Sequence, residues 1–102
     1  MKASRLRDKA REDLDDALAY YAIHAPHAMD RFADSFLAAL NHLEAHPGTG
    51  STRYAETMGL AGLRFWTLKG FPYAVFYVER KDFIEILRVL HQASDLPANL
   101  EH

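Results

Sequence analysis

Residues 62–91 constrain the fold of this chain more than any other segment. Two turn-like breaks divide the stretch into three β-rich runs, at residues 62–66, 71–77 and 84–91, which is the pattern of an antiparallel meander. Both alternating sets of side chains are apolar over residues 73–78. A strand with two apolar faces is typical of the centre of a sheet that is covered on both sides.

The chain before this segment has helical spacing. From about Asp8 onward, apolar residues recur every three or four positions and therefore share one face of a helix. We expect Asp8 to be its N-cap and the helix to end at residues 24–25, because the residue before Pro26 is disfavoured in the α region. A second amphipathic helix is predicted over residues 27–45. Two helices joined by so short a turn form an antiparallel hairpin.

The remaining segments complete an α+β fold. Residues 2–6 predict a short N-terminal strand, and residues 48–61, rich in Gly, Ser and Thr, predict a surface loop. The expected architecture is therefore a short strand, an antiparallel helical hairpin and an antiparallel β-meander. The hairpin covers one face of the sheet. The loop, the chain end or a partner protein must cover the other.

Length and composition fit one globular domain. The 102 residues predict a single domain over residues 1–99, and residues 100–102 resemble the remnant of an expression tag. The chain has no apolar run of the roughly 20 residues that a membrane span requires, so we expect no membrane partner. Zero cysteines exclude disulfides and fit a cytoplasmic location. A net charge of −2 gives no general reason to expect direct nucleic-acid binding.

Two arginines inside the predicted strands are candidate functional residues. Arg64 and Arg88 either form a cationic patch for an acidic surface or a phosphate, or they pair with Glu79 or Glu85 across the sheet. Trp66 lies two residues after Arg64 and so shares its strand face. Exposed aromatic residues mark partner sites, and the pair Arg64 and Trp66 is the favoured anchor for a partner.

The histidines and the acidic residues of the first helix have simpler interpretations. His91 is either a general base or a hydrogen-bonding residue at a strand end. His42 and His46 have the four-residue spacing of two metal ligands on a helix, but the sequence offers no third ligand, so we expect neither a metal nor another cofactor. Three carboxylates are interpreted as a solvated polar face: Asp13, Asp15 and Asp16.

Six short segments follow one another in an order that resembles a known superfamily. They are Ala10-Arg11-Glu12-Asp13-Leu14, Tyr20-Tyr21, residues 43–50 with Pro47 and Gly50, Gly62-Leu63-Arg64, Phe71-Pro72-Tyr73-Ala74-Val75-Phe76-Tyr77, and Ile86-Leu87-Arg88-Val89-Leu90-His91. In this order they resemble the RelE/ParE superfamily of bacterial type II toxins, and the match is better to its ParE branch. The resemblance covers roughly residues 8–91 and implies a RelE/ParE-like fold.

The resemblance also implies a function. It predicts a toxin of a type II toxin–antitoxin module that is neutralised by a ParD-like antitoxin and that binds and inhibits DNA gyrase without chemistry of its own. Operator DNA is then contacted only indirectly, through the antitoxin. The predicted partner-binding residues are Arg64, Trp66, Tyr20, Tyr21, Phe36, Tyr73, Arg80, Arg88 and His91.

Two alternatives stay open. A RelE-like member is a ribosome-dependent mRNA endoribonuclease, and here Arg64, Arg88 and His91 would be its catalytic residues. This chain lacks the basic run and the tyrosine that such enzymes carry after the last strand. The other alternative is an inactive homologue that only binds antitoxin, because the ParE ending "H-x-x-R-D" appears here as His91-Gln92-Ala93-Ser94-Asp95.

Overall fold

The structure, a computed structural model, describes residues 1–93 of the chain. Its elements, in chain order, are β1 (Ala3–Leu6), α1 (Asp8–His24), α2 (Pro26–Ala45), a 3-10 turn (Pro47–Thr49), β2 (Leu63–Thr67), β3 (Tyr73–Glu79) and β4 (Phe83–His91). The predicted tag remnant at residues 100–102 and the predicted domain end at residue 99 lie outside the described residues.

The four strands form one sheet in the order β1-β4-β3-β2. The strands β2, β3 and β4 are the antiparallel meander that the sequence predicts, and β1 joins it in parallel beside β4, with Leu6 opposite Ile86. The strand β3 begins at Tyr73, two residues later than predicted, because the turn at Lys69 and Gly70 continues as bends at Phe71 and Pro72. Gly70 has a φ of +82°, which suits glycine. The predicted α+β class is confirmed.

The two helices form the predicted hairpin, with small differences at their ends. The helix α1 already includes Asp8, the N-cap position is Arg7, and no side chain caps it. The prediction that Asp8 is the N-cap was therefore wrong. The helix α2 begins at Pro26, one residue before the predicted start, since a proline is tolerated at the first helical position. No helix within residues 1–93 has the length and apolar character needed to cross a membrane.

One apolar cluster fills the space between the helical hairpin and the sheet. Phe32 and Leu43 from α2 are fully buried there, against Val75, Tyr77 and Ile86 from the sheet. At about 25 cal/mol for each Å² of apolar surface removed from water, burial of such large side chains dominates the stabilisation of a small domain. This packing holds α1 and α2 against the strands.

A second cluster covers the opposite face of the sheet. The loop before β2 supplies the cover, because Tyr54, Ala55 and Met58 pack on this face. Of the three covers that the sequence left open, the loop is therefore in place. The strand side chains that it covers are Leu63, Ala74, Phe76, Val78, Leu87 and Leu90.

A buried tyrosine ties the end of the hairpin to the sheet. The hydroxyl of Tyr77 donates to the carbonyl oxygen of Pro47 at 2.7 Å and accepts from the N–H of Gly50 at 2.9 Å. A Cβ at Gly50 would overlap both the Tyr77 ring and the carbonyl oxygen of Phe65. Only glycine fits this close approach, and the loop that covers the second face starts from here.

The side chain of Glu85, on β4 next to the edge strand β1, bridges two arginines. Its carboxylate accepts from Nε of Arg7 at 2.6 Å and from Nε of Arg80 at 2.9 Å. Burial alone would raise the pKa of Glu85, but the hydrogen bonds and charges of the two arginines outweigh it, and the pKa falls below the ordinary value of 4.5. Glu85 therefore stays ionised in the folded protein at a lower pH than in the unfolded chain.

This shift predicts a contribution to acid stability. A carboxylate whose pKa is depressed by folding stabilises the protein above pH 4.5, and that contribution is lost as the pH falls through the lower folded value. We expect Glu85→Gln to cost no more than about 1 kcal/mol at pH 7, since both arginines are largely exposed. Urea unfolding between pH 7 and pH 3 should show this difference shrinking toward zero. Glu56→Gln in the exposed loop is the control, and a difference independent of pH would contradict the prediction.

Candidate functional site

An open cleft of about 300 Å³ lies between α1 and the adjoining ends of β3 and β4. Helix α1 contributes Asp13, Asp16 and Tyr20 to its lining, and the sheet contributes Tyr73 and His91, among others. Three of these residues were predicted from the sequence to contact a partner, namely Tyr20, Tyr73 and His91. The fold brings them together because α1 crosses the end of the sheet where β3 begins and β4 ends.

An ion pair between α1 and β4 forms one wall of the cleft. Arg88 donates from Nε to Oδ2 of Asp13 at 2.7 Å and from Nη2 to Oδ1 at 2.9 Å, a bidentate geometry. The side chains of Arg88 and Asp13 are only 12% and 13% exposed. The hydrogen bonds to Asp13 raise the pKa of Arg88, against the opposing effect of burial. Arg88 is thus held as a structural cation.

The same carboxylate also binds the backbone of β4 beyond the stretch that pairs with β1. The strand β1 accompanies β4 only as far as Ile86, and beyond it the N–H of Val89 donates to Oδ2 of Asp13 at 3.0 Å. Two sequence-based interpretations are corrected here. Asp13 is not part of a solvated face, and the partner of Arg88 is neither Glu79 nor Glu85.

Aromatic rings support the opposite wall of the cleft. Tyr73 packs edge-on against Phe32, with ring centroids 5.3 Å apart, and against His91 at 5.1 Å. Burial raises the pKa of Tyr73, so its hydroxyl is neutral at physiological pH. Nδ1 of His91 accepts a hydrogen bond from the N–H of Ala93 at 3.0 Å, which is the strand-end contact considered from the sequence.

Arg64 and Trp66 lie on a different surface, along the edge strand β2. Arg64 donates from Nη1 to the carbonyl oxygen of Gly50 at 2.8 Å and, like Arg88, makes no ion pair with Glu79 or Glu85 in the described part of the chain. The half-buried indole of Trp66 stacks on His42, with centroids 4.5 Å apart and planes inclined by 19°. The predicted anchor pair therefore faces the end of the helical hairpin.

The other predicted partner residues occupy positions of unequal exposure. Phe36 is only 4% exposed and belongs to the core, so its assignment as a partner contact was wrong: α2 turns it toward the sheet. Tyr21 is half-buried among aromatic rings, including Phe71 at 5.4 Å. Arg80 is at the surface, where it pairs with Glu85.

The three candidate catalytic residues do not converge. In the sheet register Arg64 is opposite Tyr77, whereas His91 is opposite Tyr73. Tyr77 and Tyr73 are roughly 13 Å apart along β3. The strands β2 and β4 lie on either side of β3, roughly 10 Å from each other across the sheet. Arg88 is occupied by Asp13. A phosphate bound at Arg64 would therefore lie far from His91.

His42 and His46 on α2, considered above as metal ligands, contact protein groups instead. Nε2 of His42 lies 3.1 Å from Oγ1 of Thr49, and its ring is stacked on Trp66. Within residues 1–93 no group of three or more metal-ligating side chains includes His42 or His46. The two rings lie beside each other with centroids 5.3 Å apart.

Sequence reasoning missed the importance of two acidic residues in the cleft. Asp13 and Asp16 look alike in a helical pattern, because periodicity assigns a residue to a face but does not reveal which tertiary partner that face meets. One signal for Asp13 was present, since it is the acidic residue of the A-x-x-D-L segment. Asp16 had no such signal.

Comparisons with known proteins agree with the fold and the motifs. The family model described as ParE toxin of type II toxin-antitoxin system, parDE, matches residues 5–96. No curated protein matches the chain. A solved structure titled "Chromosomal ParDE TA system from P. aeruginosa" is similar with a TM-score of 0.71 and 23% identity, over 89% of this chain and 96% of that one. At this identity the structural match supports the fold alone.

Proposed function

This chain belongs to the ParE toxin family of type II toxin–antitoxin systems, and we propose that it inhibits DNA gyrase by binding and is neutralised by a cognate, ParD-like antitoxin. Membership of this family identifies the class of protein, a toxin of a type II toxin–antitoxin system. The separation of its candidate catalytic groups supports action by contact rather than by chemistry. We propose a cytoplasmic location, where both partners would be met.

The proposal is carried by the placement of the candidate catalytic side chains, which are either paired or far apart. RNA cleavage by a side-chain mechanism needs a base, an acid and cations around one phosphodiester. Here Arg88 is neutralised by Asp13, and Arg64 and His91 lie at different levels of the sheet. Such an arrangement favours separate contact points on an extended surface. An mRNA endoribonuclease is correspondingly disfavoured.

Exposed apolar side chains on the helical hairpin support binding to an antitoxin. Tyr20, Ile23 and Leu37 are all more than half exposed, so each is available for contact with a partner. A partner segment that folds on binding covers such a surface effectively. Contact with operator DNA would then be indirect, through the antitoxin, in keeping with the net charge of −2.

Two parallel assays test the proposal. Purified protein is added to a gyrase supercoiling reaction and to a translating-ribosome reaction in which mRNA cleavage is followed. We expect loss of supercoiling with intact mRNA, and recovery of supercoiling when the protein encoded by the neighbouring small open reading frame is added. Cleaved mRNA would instead establish the endoribonuclease. If neither activity appears but the antitoxin still binds, the chain is the inactive homologue.

Arg64 is the residue whose removal should most weaken gyrase inhibition. Truncation of an arginine at the centre of an interface commonly costs more than 1 kcal/mol, so Arg64→Ala should require roughly tenfold more protein for the same inhibition. The matched control is Arg53→Ala, which removes an exposed arginine from the loop. Equal inhibition by both variants, with both folded by circular dichroism, would show that Arg64 is not a gyrase contact.

A further inference from the structure

The cleft beside α1 has an uncompensated negative charge. The charge of Asp13 is balanced by Arg88, whereas Asp16 has no hydrogen bond or ion pair among the residues that the structure describes. Glu12, whose charge also acts on Arg88, is a further acidic neighbour on the same helix. Since a cleft with one sign of charge concentrates the opposite sign, this one attracts cations.

Aromatic rings stand next to the unpaired carboxylate. Tyr20 follows Asp16 by one helical turn, so the two side chains lie on the same face of α1. Tyr20 is 54% exposed, yet its ring is supported by Tyr21 at 5.4 Å and by His24 at 4.5 Å. The ring of Tyr73 completes the aromatic lining. A flat cation that enters the cleft meets two aromatic side chains and a carboxylate together.

We infer that this cleft binds the guanidinium of an arginine from a partner protein, between the Asp16 carboxylate and the rings of Tyr20 and Tyr73. A guanidinium is planar, stacks on aromatic faces and pairs with a carboxylate through two N–H groups. The cleft of about 300 Å³ is open to solvent and is larger than a guanidinium group. The negative charge disfavours a phosphate or a carboxylate as the occupant.

The partner that supplies this arginine is the antitoxin, and that identification rests on the proposed function. The cleft opens beside Tyr20 on α1, the helix that also carries the exposed Ile23. One segment of a partner can therefore cover the apolar surface of the hairpin and place a basic side chain in the cleft. The apolar contacts on the hairpin and the charged contact in the cleft would then be adjacent parts of one interface.

The binding chemistry can be tested without an antitoxin. Nα-acetyl-L-arginine amide is titrated into ¹⁵N-labelled protein, and the amide shifts are compared with those caused by the neutral citrulline analogue. We expect saturable shifts around residues 13–20 and 89–93 with arginine only. Asp16→Asn should raise the apparent Kd about fivefold, as should Tyr20→Leu, whereas Asp15→Asn should leave it unchanged.

Two results would overturn the inference. Equal shifts with citrulline would show that charge is not recognised, and an unchanged Kd in Asp16→Asn would show that this carboxylate is not the site. A second titration, with the cognate antitoxin, separates this inference from the proposed function. If wild-type protein binds arginine amide but not the antitoxin, the proposed partner is wrong and the cleft chemistry stands. If antitoxin binding is unaffected by Asp16→Asn, the cleft is not its contact.

Discussion

Replacement of Asp13 by alanine is expected to lower the free energy of unfolding by about 3–5 kcal/mol, because it removes the carboxylate that holds the largely buried Arg88 in a bidentate ion pair. The N–H of Val89 loses its acceptor in the same variant. Domains of this size are stable by only about 5–15 kcal/mol, so the loss is a large fraction of the total. It exceeds what any exposed ion pair could produce.

Urea unfolding measures this effect, with Asp15→Ala as the matched control. Asp15 is an exposed carboxylate on the same helix, and its removal should change stability by no more than about 0.5 kcal/mol. Asp13→Asn should lie between the two, since an amide oxygen still accepts from Val89 but carries no charge for Arg88. A loss of less than about 1 kcal/mol in Asp13→Ala would contradict the structural role of the pair.

A double variant separates the attraction between Asp13 and Arg88 from the cost of keeping the Arg88 charge largely buried. Asp13→Leu combined with Arg88→Met removes both charges and keeps apolar volume. We expect it to be more stable than Asp13→Ala alone, by about 1–3 kcal/mol. If the double variant were the less stable protein, the cost in Asp13→Ala would come from the lost attraction to Asp13 rather than from the burial of the arginine charge.

The segments that carry the resemblance to the ParE family turn out to contact one another. The acidic residue of the first segment, Asp13, binds Arg88 and the backbone of Val89 in the last one. Tyr77 of the fifth segment binds the third, at Pro47 and Gly50. Their shared presence in one chain is therefore explained by the fold. The motifs that identify the family are, to this extent, its structural contacts.

The elements of the fold could be predicted from the sequence because each depends on local spacing. The helical period of α1 and α2 and the two apolar faces of β3 are visible in short windows, and turns at proline and glycine separate them. The parallel pairing of β1 with β4 could not be predicted. β1 is only four residues long, its sequence is polar, and its partner lies at the other end of the chain.

The candidate site, too, could be predicted only where it depends on local spacing. The shared face of Arg64 and Trp66 follows from strand alternation, and the structure has both on β2. The convergence of Tyr20, Tyr73 and His91 on one cleft depends on how α1 crosses the sheet, which no local pattern contains. Asp13 is paired, whereas Asp16 has no partner within residues 1–93, and this difference depends on the same crossing.

Replacement of Tyr77 by phenylalanine is expected to destabilise the protein by about 1–3 kcal/mol for each backbone group that it leaves unsatisfied. Two such groups are involved, the N–H of Gly50 and the carbonyl oxygen of Pro47. The ring is fully buried and stays in place in this variant, so the change isolates the hydroxyl. The loop that covers the second face of the sheet would lose its attachment at one end.

The alkaline limit of stability gives a second readout of the same hydroxyl. Burial raises the pKa of Tyr77 above its ordinary value of 10.0, and the hydrogen bond with Gly50 and the charge of Arg64 offset this only in part. A group whose pKa is raised by folding stabilises the protein below its unfolded pKa, and that contribution is lost as the pH rises through the folded value. Urea midpoints should therefore fall above pH 10 in the wild type and fall less steeply in Tyr77→Phe.

The close approach of Gly50 to the same ring provides an independent check. Gly50→Ala places a methyl group against the Tyr77 ring and the Phe65 carbonyl and should cost about 1–3 kcal/mol through overpacking. At Gly48 an added Cβ meets nothing within 4 Å, so Gly48→Ala is the control. Because both Tyr77→Phe and Gly50→Ala disturb one attachment, their combined cost should be smaller than the sum of the two. Additive costs would mean that the loop is held independently of the tyrosine.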